Sequence, residues 1–199
     1  PRHRASVFLG TQTYSLLLDK AKELGGIIQT EFFIEIKLFL SKFFGSITLW
    51  LRLLNILNSE ICETTSRGMF VTMLIGIYDS NKKELLLSSA GHEPPIIFSE
   101  DGSFTNYNES GPPLGIMPKT KYPEHKLSFE NSSMYIFTDG ITEIKNPSGE
   151  MLGSEGFENY IKKYQSSPIN ERLKTMIDDI LNAGHIQKDD LTIVVIDGK

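Results

Sequence analysis

Asp139 and the Asp189-Asp190 pair are the residues of this chain best suited to do chemistry. Asp139 follows an apolar run, Tyr135-Ile136-Phe137, and Thr138, and is itself followed by Gly140. Asp189 and Asp190 open a second apolar run, "DDLTIVVI". Carboxylates at the ends of strands can be held close together by a rigid sheet, and hard cations such as Mg²⁺ and Mn²⁺ take oxygen-rich sets of that kind. Acids in such places are also common turn and cap residues. Two carboxylates, judged by spacing alone, leave both readings open.

The segments that must position these acids have two textures. Residues 4 to about 60 read as helical: Val7, Leu9, Tyr14, Leu17 and Leu18 recur at roughly helical spacing before a break at Gly25-Gly26. Phe32, Phe33, Ile36, Phe39, Leu40 and Phe43 make a second, broad stripe, and Leu53, Leu54, Ile56, Leu57 and Ile61 a third. From Met69 the pattern changes to strands. "MFVTMLIGIYD" and "KELLLSSAGH" read as a hairpin, "PPIIFSEDGSFTNYN" as two strands about an Asp101-Gly102 turn, and "EHKLSFE" and "SSMYIFTDG" as two more. "SEGFENYIKKYQ" predicts a helix capped by Ser154. "INERLKTMIDDILNAG" predicts an amphipathic helix that packs Leu173, Ile177 and Ile180 inward and ends at Gly184. Hairpin strands with grouped helices argue for an α+β fold. The expectation is one domain over residues 1–199, with a helical part at 1–60 and a sheet-rich part at 68–197.

Composition narrows the partners. At 199 residues the chain can bury a sizeable core, and a net charge of −5 without a basic block argues against nucleic acid. Cys62 is the only cysteine, which excludes an internal disulfide and fits the cytoplasm. The apolar stretch from Ile27 to Leu57 is interrupted by Glu31, Glu35, Lys37, Lys42 and Arg52, so no membrane span is expected there. It reads instead as a buried helix or a self-association surface. The first residue is Pro1, from which a piece of a longer protein is expected. His92, between Gly91 and Pro94-Pro95, reads as a loop-bonding residue, His125 and His185 as surface residues, and Cys62 as packing.

Five segments in order, "GMFVTMLIGIYD", "LSSAGHEPPIIF", "GPPLGI", "MYIFTDGITEIKNPSGEMLG" and "DDLTIVVI", resemble the SpoIIE-type branch of the metal-dependent protein phosphatases, the PPM (type 2C) family. The resemblance covers residues 68–197. It implies an αββα sandwich, two antiparallel sheets flanked by helices, and a bacterial signal-transducing serine/threonine phosphatase. In that family aspartates hold two Mn²⁺ or Mg²⁺ ions, and a metal-bridging water attacks the phosphoryl group. Carried over by motif, Asp139 and Asp189 are the catalytic metal ligands, Gly140 provides the turn that aims Asp139 outward, and Asp190 supports. Glu143 matches a position just past the metal turn, or is a charge at a helix start. The implied substrate is a phosphoserine or phosphothreonine protein, by analogy an anti-sigma antagonist-like one.

Two further acidic motifs of the family, a Gly-Asp on an early strand and an Asp before Gly-His-Gly, have no counterpart in this sequence. "PRHRASVFLGTQ" is similar to the family's segment just past the second of these motifs. Half of the carboxylate shell is therefore assignable, weak metal binding and little turnover are expected of this chain alone, and an open sheet edge is expected where the first strands are missing. The alternative is a catalytically silent PPM-like sensor or docking module.

Overall fold

The computed structural model describes residues 4–10, 53–64, 70–79, 81–107, 109–184 and 191–198. The first of these segments is a strand, β1 (Arg4–Gly10), which corrects the helical expectation for that stretch. It runs antiparallel to β2 (Met73–Asp79) through seven registered pairs, from Arg4↔Asp79 to Gly10↔Met73. A full ladder of that length, with Val7 and Phe8 as good strand formers, outweighs a helical spacing that rested on five residues, of which only Val7 and Leu9 fall in this strand. β1 is the edge strand of its sheet among the described residues. The stripe from Phe32 to Phe43, the Gly25-Gly26 break and His185 lie outside the described residues.

Among the described residues the chain forms two four-stranded sheets and divides into two compact units. In the first unit, β1, β2, β3 (Glu84–Ala90) and β6 (His125–Ser128) lie side by side in that order. The helix α1 (Leu53–Thr64) fulfils the third helical stripe. Its Leu53, Leu54, Leu57 and Ile61 are buried with Met73, Ile75, Ala90, Leu114 and Tyr122 in one core. That burial removes residues 53–58 from the apolar surface expected to drive self-association; the rest of that stretch lies outside the described residues.

In the second unit the sheet order is β5-β4-β7-β8, with β4 (Ile96–Ser99), β5 (Phe104–Asn106), β7 (Ser132–Phe137) and β8 (Ile193–Asp197). The Asp101 turn joins β4 to β5 as the sequence predicts, closed by the Ser103 N–H and hydroxyl donating to Asp101 at 2.9 and 2.6 Å. β7 has neighbours on both sides and is buried at all six positions. Its Tyr135 and Phe137 pack edge-on against Phe157 of α3 (Gly153–Tyr164), with ring centroids 6.3 and 5.0 Å apart. Ser154 does not cap α3: the cap position is Leu152, without a side-chain hydrogen bond.

The last helix, α4 (Ile169–Asn182), ends before Gly184 in the left-handed region, φ +86°, as expected. Its inward face includes Ile180 and, packed against the core, Leu173, as predicted, but also Met176 and Arg172. Met176 and Ile180 are fully buried, Leu173 and Ile177 only half-buried, and Leu181 exposed. The stripe is Arg172-Met176-Ile180 at i, i+4 and i+8, and Arg172 is 3% exposed. A charged residue in the first of these places carries no signal in hydrophobic periodicity.

Candidate metal centre

Asp139 stands where β7 gives way to a single helical turn, α2 (Asp139–Thr142). Phe137 is still in register with Ile193 of β8, and Thr138 extends the pairing by donating its N–H to the Thr192 carbonyl at 3.1 Å. The chain then turns at once. Ile141 N–H returns to the Thr138 carbonyl at 3.0 Å and Glu143 N–H to the Asp139 carbonyl at 2.8 Å. The Thr142 hydroxyl also donates to the Asp139 carbonyl, at 3.1 Å. Ile141, fully buried, anchors the turn in the core. The Asp139 side chain is exposed, with no hydrogen bond to it among the described residues.

Gly140 is buried and helical; its φ is not positive, so left-handed glycine freedom is not what turns the chain. Glu143 is the C-cap of α2, at the end of a helix and not at the start of one. Asp189 and Asp190 lie outside the described residues.

Sequence reasoning passed over Glu93, which precedes β4 in the same unit. Burial, then the charges of Asp139 and Glu143, push its carboxyl above the ordinary glutamate range. Glu93, Asp139 and Glu143 thus gather negative potential around the turn. The only signal in the sequence was its place beside His92 in a loop rich in Gly and Pro. Among the described residues, no three His, Cys, Asp or Glu side chains are close enough together to hold a metal ion by themselves. The donor chemistry nonetheless fits a hard cation: an exposed carboxylate on a rigid turn, in a negative field.

The remaining candidates are structural. His92 is buried and follows Gly91, whose φ of +66° and closeness to Pro113 leave no room for a side chain. His125 is half-buried and paired with Glu109 at 2.7 Å, not a bare surface residue. Cys62 points to Asn58 on its own helix at 3.8 Å.

The family model described as Stage II sporulation protein E (SpoIIE) matches residues 46–199. The chain belongs to the SpoIIE family. Phosphoserine phosphatase RsbU of Bacillus subtilis (strain 168) is 29% identical over 143 residues, covering 70% of this chain and 42% of that protein. The chain thus spans less than half the length of this curated relative. The solved structure of RsbX in complex with magnesium superposes with a TM-score of 0.61 at 19% identity, covering 96% of this chain and 79% of RsbX. The SiaA-PP2C domain of Pseudomonas aeruginosa superposes with a TM-score of 0.60 at 16% identity, covering 70% and 57%. These likenesses establish the fold of this SpoIIE-family chain, the α+β, PP2C-type architecture expected from the sequence. Among its described residues no helix is long and apolar enough to cross a membrane.

Proposed function

We propose that this SpoIIE-family chain is the phosphatase part of a metal-dependent protein serine/threonine phosphatase, with Asp139 and Asp189 as metal ligands and Gly140 and Asp190 in support. The observation that carries it is the pairing of Thr138 with Thr192. Asp139 follows Thr138 directly, and Asp189 is three residues ahead of Thr192. Asp139 thus leaves one end of the β7–β8 ladder, and the nearness of Asp189 to Thr192 in the sequence supports it as the second ligand.

Divalent cations at that end would supply a water of lowered pKa and screen the charge of a phosphoryl group. The protein's own part is to hold them: Asp139 offers an accessible carboxylate, and Glu93 and Glu143 deepen the negative potential around it. Mn²⁺ or Mg²⁺ is the cation class, supported by the magnesium of the RsbX structure. The name of the relative phosphoserine phosphatase RsbU supports a phosphoserine protein as substrate; phosphothreonine and an anti-sigma antagonist-like partner in a cytoplasmic partner-switching pathway are what the family resemblance implies.

The test is Mn²⁺ titration and phosphopeptide hydrolysis. The 199-residue chain binds Mn²⁺ weakly and turns over little, because its assignable carboxylates satisfy only part of a two-metal site. A longer native protein that supplies two more acids hydrolyses the peptide only with Mn²⁺ or Mg²⁺, and Asp139→Asn abolishes that turnover. Unchanged metal affinity and turnover in Asp139→Asn would refute the assignment. The lack of the family's two other acidic motifs in this sequence supports one second reading, a catalytically silent PPM-like sensor or docking module.

A further inference from the structure

We propose that Thr138 is the positioning residue of the metal centre: its hydroxyl completes the β7–β8 ladder, which frees its carbonyl to close the turn that presents Asp139. The inference rests on the metal reading of Asp139 given above. In an antiparallel hydrogen-bonded pair, two residues exchange N–H and carbonyl with each other. Thr138 and Thr192 keep half of that exchange, the Thr138 N–H donating to the Thr192 carbonyl at 3.1 Å. The return bond is substituted. Thr192 N–H donates at 3.2 Å to the Thr138 hydroxyl oxygen. The Thr138 carbonyl accepts instead from Ile141 N–H at 3.0 Å, which is the bond that starts the turn.

A second observation shows that the hydroxyl is committed to this task. Thr138 occupies the N-cap position of α2, with extended backbone at φ −100° and ψ 158°, where a threonine oxygen ordinarily accepts from its own helix. Here no such side-chain cap bond is made. Thr138 itself is buried, at 6% exposure, which fixes its hydroxyl in place. Without it, the strand and the turn compete for a single carbonyl. Either Thr192 N–H loses its partner, or the carbonyl returns to the ladder and the turn opens, carrying Asp139 away from its place. The hydroxyl therefore acts on Asp139 without touching a cation.

The experiment compares Thr138→Val, isosteric but without an acceptor, with Thr138→Ser, which keeps the oxygen. Mn²⁺ affinity is read by titration calorimetry on the native full-length protein, and the protection of the Thr192 amide by hydrogen exchange. The valine variant is expected to lose ~10–100-fold in Mn²⁺ affinity, the range for outer partners of metal ligands. Its Thr192 amide should lose protection while Met134 and Ile196, a hydrogen-bonded pair in mid-ladder, keep theirs. The serine variant should restore both readouts. Should the valine variant not fold, Thr138→Ala lacks the same oxygen without adding bulk and gives the same two readouts. Wild-type affinity in the valine or alanine variant, with Asp139→Asn weakened in parallel, overturns this inference and leaves the metal reading intact. A serine variant as weak as the valine one also overturns it. Asp139→Asn with unchanged affinity overturns the metal reading and this inference together.

Discussion

Asn58 in the first unit and Arg172 in the second are both buried polar side chains on helices, yet they brace their surroundings with different chemistry. Asn58 meets one donor and one acceptor of the backbone: it accepts from Gly115 N–H at 2.9 Å and donates to the Met117 carbonyl at 2.8 Å. Its neighbour Asn55 accepts from Tyr122 N–H at 3.0 Å, so α1 holds the 115–122 segment through neutral amides. Ile116 and Met117 remain exposed on that pinned segment. Arg172 gathers acceptors from several elements instead. It donates to Asp197 of β8 at 3.1 Å, to the Ser167 carbonyl at 3.1 and 3.2 Å, and to the Tyr135 hydroxyl of β7 at 3.3 Å. Ser133 adds a bond to Asp197 at 2.6 Å. An amide with one oxygen and one nitrogen suits a loop backbone, whereas five fixed donors suit the joining of two strands and a helix. The charged brace sits at one end of the β7–β8 ladder, and the Thr138–Thr192 pairing closes the other.

The contrast can be broken at the charged brace first. Arg172→Met should cost about 3–5 kcal/mol in urea unfolding, because Asp197 is left without its cation in a largely buried site. Arg172→Met with Asp197→Leu should regain most of that loss; a double variant as unstable as the single one would show that the charge pair itself stabilises the unit. Packing on the same stripe is tested by Met176→Ala, expected to cost about 2–5 kcal/mol, against a much smaller loss for half-buried Ile177→Ala. Equal losses would move the buried face of α4. The neutral brace should be weaker: Asn58→Ala should cost about 1–3 kcal/mol and unprotect the Gly115 amide, leaving the second unit's amides unchanged. The smallest effect belongs to the surface pair of Lys163 and Asp179, 2.6 Å apart. The hydrogen bond from Lys163 holds the Asp179 carboxyl below its ordinary range. Its folded pKa being the lower one, the contribution is complete above the unfolded value of about 4 and is lost as pH falls through the folded one. Asp179→Asn should lower the melting temperature slightly at pH 7, and variant and wild type should converge as pH falls below 4.

Strands and hairpins were legible because side chains alternate with a period of two and Asp-Gly or Asn-Lys turns separate the runs. β1 was not, because its pairing with β2 is a contact between distant segments that no local window records. Asp139 was legible as an acid at a strand end, since an apolar run stops there abruptly. Its support was hidden. Thr138 reads as an ordinary threonine until the destination of its carbonyl is known, and Glu93 gains meaning only when Asp139 and Glu143 approach it in space. Arg172 carried no signal in the sequence, and the network around Asp197 is what makes its burial tolerable.

β8 also bears on the order in which the second unit assembles. Thr138 and Thr192 are separated by 54 residues, Arg172 and Asp197 by 25. Closing the longer loop carries an extra entropic cost of about 0.6 kcal/mol, since the separation roughly doubles. β8 should therefore be captured first by the guanidinium on the neighbouring helix and then zip along β7 towards Thr138. On that route the Thr138 end of the ladder, beside Asp139, is the last to form in refolding and the first to fray.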